Sequence, residues 1–302
     1  MGVFLKEKRW LVYAILAAAS WGIWGILTKF ISGDINPFAT HFMFTVGALF
    51  TLPLVLRNCK IKEANVKGIS LGIGASILAV IGNVSIYQSF NMGGQAAVII
   101  PLTNLYPLIT IVIALLIFKE KLNWINGLGI FIVIPAILLL SGQSSFFDGS
   151  DVFYKNIEFQ VWLIFAILTL FLFGIFSALQ KVISNYLSTG WAYLSFVVSS
   201  VLVSVCFFAF GLIDFNFSEK TFWLGSSAGF LDGLGVLSIY WAYQVKGKAS
   251  KVSSIAAALQ QVFTVILAIV FLDEMLSLDA SIGIFLAILG AYLLSFETTK
   301  TS

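Results

Sequence analysis

Long continuous apolar runs separated by short polar breaks set the organisation of this chain. They lie near residues 10–31, 37–56, 68–90, 95–118, 123–141, 160–184, 189–213, 221–244, 250–271 and 278–296. Each approaches the ~20 residues that a helix needs to cross a hydrocarbon core about 30 Å thick. The runs are continuous rather than alternating, which excludes a membrane β-barrel, and closed helices satisfy their own backbone groups where no water is present. The pattern predicts an all-α polytopic membrane protein with ten transmembrane helices. The first run follows Lys6, Lys8 and Arg9 and contains Ala17-Ala18-Ala19, as a signal peptide does, but it continues through Trp21 to Ile31. That is too long for a signal core.

The second half of the chain repeats the first at an offset of 152 to 154 residues. From Trp21 to Ser32 against Phe173 to Ser184, six of 12 positions are identical, including Gly22/Gly174, Lys29/Lys181 and Ser32/Ser184. Gly82/Gly235 and Ser85-Ile86-Tyr87/Ser238-Ile239-Tyr240 continue the match, as do Gly129-Ile130-Phe131/Gly283-Ile284-Phe285 and Leu139-Leu140-Ser141/Leu293-Leu294-Ser295. The expected division is a first five-helix repeat over 1–142, an external linker over 143–159 and a second repeat over 160–302. Five is odd, so the second copy enters the membrane from the opposite face and the repeats are inverted. Inverted repeats are how many secondary transporters hold a solute site at the bilayer midplane and open it to each face in turn.

Composition fits a chain solvated by lipid: 60% of the 302 residues are hydrophobic and only 10% charged, against about 25% charged in soluble domains. A net charge of +3 is too small and scattered for a nucleic-acid footprint. The charges speak to topology instead. With the N-terminus inside, the inner segments hold Lys6, Lys8, Arg9, Arg57, Lys60, Lys62, Lys67, Lys119, Lys121, Lys246, Lys248, Lys251 and Lys300, 13 of the 17 basic residues, whereas the outer segments hold only Lys155 and Lys220. The positive-inside rule then places both termini in the cytoplasm, of a cell membrane that is the inner one in a Gram-negative cell. Cys59, in a basic loop, and Cys206, inside an apolar run, are not placed for a structural disulfide.

Several of the repeated residues carry a family likeness. Trp21-Gly22-Ile23-Trp24-Gly25 with Lys29, the run Ile100-Pro101-Leu102-Thr103-Asn104-Leu105-Tyr106-Pro107, and Phe118-Lys119-Glu120 resemble the five-helix EamA unit of the drug/metabolite transporter superfamily. The second half is similar at Gly174, Lys181, Glu274 and Gly283, but lacks both prolines and has Gln260-Gln261 in place of Tyr106-Pro107. The resemblance covers nearly the whole chain. It implies solute export or uptake with both termini cytoplasmic, and it does not name the cargo.

Polar residues inside the spans are the candidate chemistry. Asp232 is the one acid near the middle of a span, where a carboxylate must be neutral, paired or hydrated. Its face carries Gly225, Ala228, Gly229 and Gly235, mirrored by Gly72, Ser76 and Gly82 with Ala79 at the Asp position. Asp232 is a proton- or cation-coupling residue on one reading and a packing residue at a close helix contact on the other. Spans 4 and 9 bear polar stripes: Thr103, Asn104 and Thr110 between Pro101 and Pro107, answered by Ser253, Ser254, Gln260, Gln261 and Thr264. Proline frees carbonyls, which is tolerable at depth only where protein or a hydrated cavity takes them up. The stripes either bind a solute or bond helix to helix. The candidate substrate site is Trp24, Thr103, Asn104, Tyr106, Gln260, Gln261 and Thr264, with Trp21, Tyr87 and Tyr240 as further aromatic wall or packing. Lys29 and Lys181 flank a cavity entrance or snorkel to the headgroups. His41 reads as an interfacial side chain near the outer end of span 2, and Glu120 and Glu274 as polar turns.

An intramembrane enzyme would need parts that are missing: there is no His-Glu-x-x-His motif, a single histidine, and no second acid to pair with Asp232. Without a P-loop the chain does not pump with ATP by itself. No motif calls for a cofactor or a metal. The expected function is secondary transport of a small neutral or zwitterionic metabolite by alternating access, with or without proton coupling. The rivals are a facilitative carrier and a non-transporting receptor or assembly protein. The expected partners are the solute and the bilayer, with no nucleic acid, in a monomer or homodimer. A reporter fused after Lys300 should be active only on the cytoplasmic side; activity confined to the outer side overturns the topology and the five-plus-five arrangement with it.

Overall fold

A computed structural model describes residues 9–33, 35–56, 59–118, 124–140, 160–247 and 249–294. Lys6, Lys8, Arg57, Lys119, Glu120, Lys121, the 143–159 linker with Lys155, Lys248 and Lys300 lie outside them, as do the side chains of Lys251 and Ser254. Span 1 is Arg9–Ile31; span 2 is Pro37–Leu49 continued by Pro53–Leu56; span 3 is Val66–Asn91. Span 4 is split into Ala96–Thr103 and Pro107–Phe118, and span 5 is Trp124–Leu140. Spans 6 to 10 are Val161–Ile183, Thr189–Ala209, Glu219–Gln244, Ala249–Phe271 and Leu278–Leu294. Seven of these runs are long and apolar enough to cross a membrane, and spans 5, 9 and 10 contribute shorter apolar helices. The described chain is all-helical, as a multi-pass membrane protein requires.

Local chemistry starts several of the helices. Asn36 accepts from Ala39 N at 2.7 Å with Pro37 next in the chain, Asn65 from Gly68 N at 3.2 Å and Ser218 from Thr221 N at 3.1 Å. Each supplies an acceptor for a first-turn N–H that has no partner within the helix. Span 2 turns over Phe50–Leu52 and restarts at Pro53, whose ring suits the first turn.

The distribution of side chains is inverted relative to a soluble protein. Phe131, Val205, Phe208, Ile266, Val270 and Phe285 point outward, while Ser76, Thr169, Ser199, Ser200, Gln261 and Thr264 are buried. Buried hydroxyls close on carbonyls of neighbouring helices: Ser89 on Trp162 O at 2.9 Å, Thr169 on Gly82 O at 3.1 Å and Ser199 on Ile73 O at 3.1 Å. His41 lies inside this packing and not at the interface its sequence position suggested. Its Nε2 stands 3.2 Å from Ser200 O and its ring stacks on Phe44.

The most extensive helix contacts are between spans 1 and 8, 3 and 6, and 5 and 10. Glycine allows the closest of the other approaches. A methyl group added at Gly47 of span 2 would overlap the Ser226 carbonyl of span 8, and one at Gly229 would overlap the Phe44 backbone. Spans 2 and 8 therefore meet backbone to backbone, as small residues permit. Gly47→Ala is expected to destabilise the protein by about 1–3 kcal/mol through overpacking, read as earlier loss of the monodisperse peak after heating in detergent. Gly74→Ala, where an added methyl meets nothing within 4 Å, is the control and should be neutral or slightly stabilising.

Candidate functional site

The prolines of span 4 build one wall of a central cavity. Pro107 has no N–H to return to Thr103 O, which takes Tyr106 N instead at 3.1 Å, while Leu105 N bonds Leu102 O at 3.2 Å. The α-helix thus tightens into a short i→i−3 turn over Asn104–Tyr106 and restarts at Pro107. Span 9 has Gln260 and Gln261 at the matching positions, lacks both prolines and runs as one helix.

The cavity opens between these two spans. Asn104 and Tyr106 line it from span 4 and Gln260 from span 9; Trp21 and Trp24 come from span 1, Ala79 and Asn83 from span 3, and Phe173, Phe176, Ser177 and Gln180 from span 6. Span 7 adds Phe196, and span 8 adds Asp232 and Val236. About 60 Å³ is open to the centres of water-sized molecules, room for several waters. Of the residues picked from sequence, Trp24, Asn104, Tyr106, Gln260 and Asp232 meet here, together with Trp21. Thr103, Gln261 and Thr264 are buried but not in the lining. Thr103 bonds back to Ile100 O at 3.1 Å, and Thr264 Oγ1 reaches Gly22 O at 3.4 Å.

Phe173, Phe176, Asn83, Ser177, Gln180 and Phe196 were not among the residues chosen from sequence. The repeat held the signal for several of them. Shifted by 152 to 154 residues, Trp21 and Trp24 become Phe173 and Phe176, Asp232 becomes Ala79, Val236 becomes Asn83 and Tyr106 becomes Gln260. All ten line the cavity. Five pairs of equivalent positions thus face one space, with different chemistry on the two sides.

Asp232 is fully enclosed. The Asn83 and Trp21 side chains face its carboxyl, Oδ2 has no hydrogen-bond partner, and no basic side chain is in the lining. Gly235, one turn on, lets the Trp21 indole lie directly against the span 8 backbone. Asn104 Nδ2 is also buried without a partner, and Trp24 Nε1 and Gln180 Nε2 stand beside the Tyr87 and Tyr240 hydroxyls without closing a hydrogen bond.

Lys29 and Lys181 do not line the cavity. Lys29 Nζ donates to Gly94 O at 2.9 Å and Phe90 O at 3.4 Å, at the C-terminal end of span 3, and lies 5.8 Å from the Phe90 ring. Lys181 Nζ lies 5.6 Å from the Tyr243 ring, at the C-terminal end of span 8. Both ammonium groups sit where a helix dipole favours positive charge. Glu274 does more than end a run: its two oxygens accept from Ala96 N and Ala97 N, each at 2.8 Å, and so cap the first half of span 4.

Residues 8–142 and 160–296 each match the EamA-like transporter family. This chain belongs to that family. Among similar proteins, an uncharacterized transporter of Clostridium kluyveri is 21% identical over 97% of this chain and 94% of its own length. One of Archaeoglobus fulgidus is 23% identical over 94% of this chain and 97% of its own. An uncharacterized protein of Methanocaldococcus jannaschii is 27% identical over 131 residues, 43% of this chain but 95% of that protein. A solved crystal structure matches with a TM-score of 0.64 at 16% identity, covering 93% of this chain and 96% of the other, and shows the same fold. The EamA chain is therefore a membrane transporter, and its helices enclose a central cavity.

Gly235→Ala tests how that cavity is assembled. The added methyl pushes the Trp21 indole off span 8 and away from Asp232. The expected outcome is a shift in tryptophan emission with monodisperse protein retained, whereas Gly74→Ala leaves the spectrum as it was.

Proposed function

We propose that this EamA protein is a secondary transporter that carries a small solute through the central cavity by alternating access. In this reading the ten helices all cross the cell membrane, both termini are cytoplasmic, and two inverted five-helix units, 1–142 and 160–302, rock about a fixed midplane site. The observation that carries it is the lining: five pairs of repeat-equivalent residues face one space. In this reading such a space lies on the axis that relates the halves, where small opposed motions would open either end. The helix contacts obey the same relation, since the pairing of spans 1 and 8 becomes that of 6 and 3 when the halves are exchanged. A relative one unit long, matched over 131 residues, supports a duplication.

Within the cavity, Trp24, Asn104, Tyr106 and Gln260 contact the solute, and Asp232 takes up and releases the coupling proton. A lone carboxyl in an enclosed cavity changes its charge state most easily when water reaches it, so protonation can be tied to opening. Thr103, Gln261 and Thr264 support the two central helices from behind.

Cysteine labelling tests the cycle without a known substrate. In a Cys59→Ser, Cys206→Ser background, Ser177→Cys places one thiol in the cavity. In oriented vesicles it should react with a membrane-impermeant reagent added to either face, and an imposed proton gradient should change the ratio of the two rates. With Asp232→Asn the gradient should leave the ratio fixed. Reaction from one face only overturns alternating access, and a gradient response that survives Asp232→Asn removes that residue from the coupling step.

A further inference from the structure

The cavity's chemistry is asymmetric in a way that selects its cargo. Among the described lining residues Asp232 is the one acidic side chain, and none is a lysine, arginine or histidine. The apolar wall is mainly aromatic: Trp21, Trp24, Tyr106, Phe173, Phe176 and Phe196. Aromatic faces attract cations through their quadrupole, tryptophan most strongly, and the attraction grows when the pair is removed from water. The Asp232 carboxyl, which the Asn83 and Trp21 side chains face but whose Oδ2 has no hydrogen-bond partner, shares the cavity with these rings and, once ionised, is a site for a desolvated positive charge. The remaining polar groups lining the cavity are uncharged. Asn104 Nδ2 in particular is a buried donor with no acceptor in the protein, free to donate to an oxygen on whatever fills the space.

We propose that the cargo is a small monovalent organic cation, an ammonium compound carrying a neutral hydrogen-bond-accepting oxygen, in which the ammonium group pairs with Asp232 among the aromatic rings and the oxygen accepts from Asn104. This rests on the reading of the cavity as the transport site and names the class of solute it takes. A neutral solute leaves the Asp232 charge without a counterion. A zwitterion brings a carboxylate into a lining that has no cation to meet it, and a buried unpaired charge is heavily penalised. The 60 Å³ open to the centres of water-sized molecules extends one molecular radius further on every side, so a solute of a handful of heavy atoms fits. The cation binds the ionised carboxyl, after the coupling proton has left.

Three probes of nearly equal shape separate the possibilities. Choline has the quaternary ammonium and a hydroxyl; 3,3-dimethylbutan-1-ol replaces the charged nitrogen by carbon; glycine betaine keeps the ammonium and adds a carboxylate. Binding to the purified full-length protein in lipid nanodiscs is read from quenching of tryptophan fluorescence at constant ionic strength. Choline should bind at least about tenfold more tightly than either analogue, the range of a desolvated cation–aromatic contact with a counterion. Asp232→Asn should abolish that preference, and Trp24→Leu should weaken choline by several fold. Monodisperse elution of each variant excludes misfolding, and Asp232→Glu, which retains the charge, should keep the preference for choline over the neutral alcohol should Asp232→Asn prove unstable. Equal binding of the neutral alcohol, tighter binding of betaine, a choline preference unchanged in Asp232→Asn, or no choline binding at millimolar concentration each overturns the assignment. None of these results bears on the two-face labelling of Ser177→Cys, so failure here leaves the transport reading standing and is distinguishable from failure there.

Discussion

Lipid offers no hydrogen bond, so every polar group within the membrane must find its partner in the protein. Much of this architecture follows from that one constraint. It keeps the backbone helical, sends serine and threonine hydroxyls to carbonyls on their own or neighbouring helices, and makes glycine the residue of close approach. It also gives the break in span 4 its cost. Backbone freed by Pro107 is partly recovered by the tight turn over Asn104–Tyr106, and the residues at the two ends of that turn, Asn104 and Tyr106, line the cavity.

The duplication then sets where that cavity lies. Equivalent contacts recur across the halves at matching positions: Thr110 Oγ1 bonds Gly174 O at 3.0 Å, and its counterpart Thr264 bonds Gly22 O at 3.4 Å. Ser32 and Ser184 each close on the carbonyl of the lysine three residues before, both at 2.7 Å. The two threonine bonds hold span 1 to span 9 and span 6 to span 4 in the same manner. Backbone contacts have stayed paired while side chains at the centre diverged: phenylalanine stands in the second half where the first has tryptophan, alanine in the first where the second has aspartate, and glutamine in the second where the first has tyrosine. In the proposed transport cycle, a symmetric frame with an asymmetric lining would move alike toward both ends and still bind a solute in one orientation.

The succession of apolar helices and the meeting of spans 4 and 9 were legible because apolar run length and residue identity carry them directly. Asp232 and Asn104 stood out because polar groups at depth are rare. Phe173, Phe176 and Phe196 did not, since an aromatic residue in an apolar run has the same signature whether it faces lipid, core or cavity; only the repeat relation to Trp21 and Trp24 singles out the first two. Gln261 is adjacent to Gln260, and neighbouring helical positions point about 100° apart, so one lines the cavity and the other is buried elsewhere. Glu274 could not be recognised as a cap because its acceptor role joins residues 177 and 178 positions away in the chain.

The two ends of the bundle are not in the same state. At one end Glu274 holds the start of span 4, Lys29 holds the Gly94 and Phe90 carbonyls, and Asn91 joins the end of span 3 to Gly33 N at 3.0 Å and Ile35 O at 2.7 Å. These bonds tie spans 1, 3 and 4 and the 9–10 loop across the top of the cavity. At the other end a polar recess of about 270 Å³ lies between the foot of span 2, the start of span 7 and the end of span 8, bounded by Lys60, Glu63, Thr189 and Gln244. With the proposed topology the tied end is the outer one and the recess faces the cytoplasm. In that topology, opening outward breaks the Lys29 and Glu274 bonds, which are charge-assisted and cost more than the neutral Asn91 ones, while a polar recess already lies at the inner end.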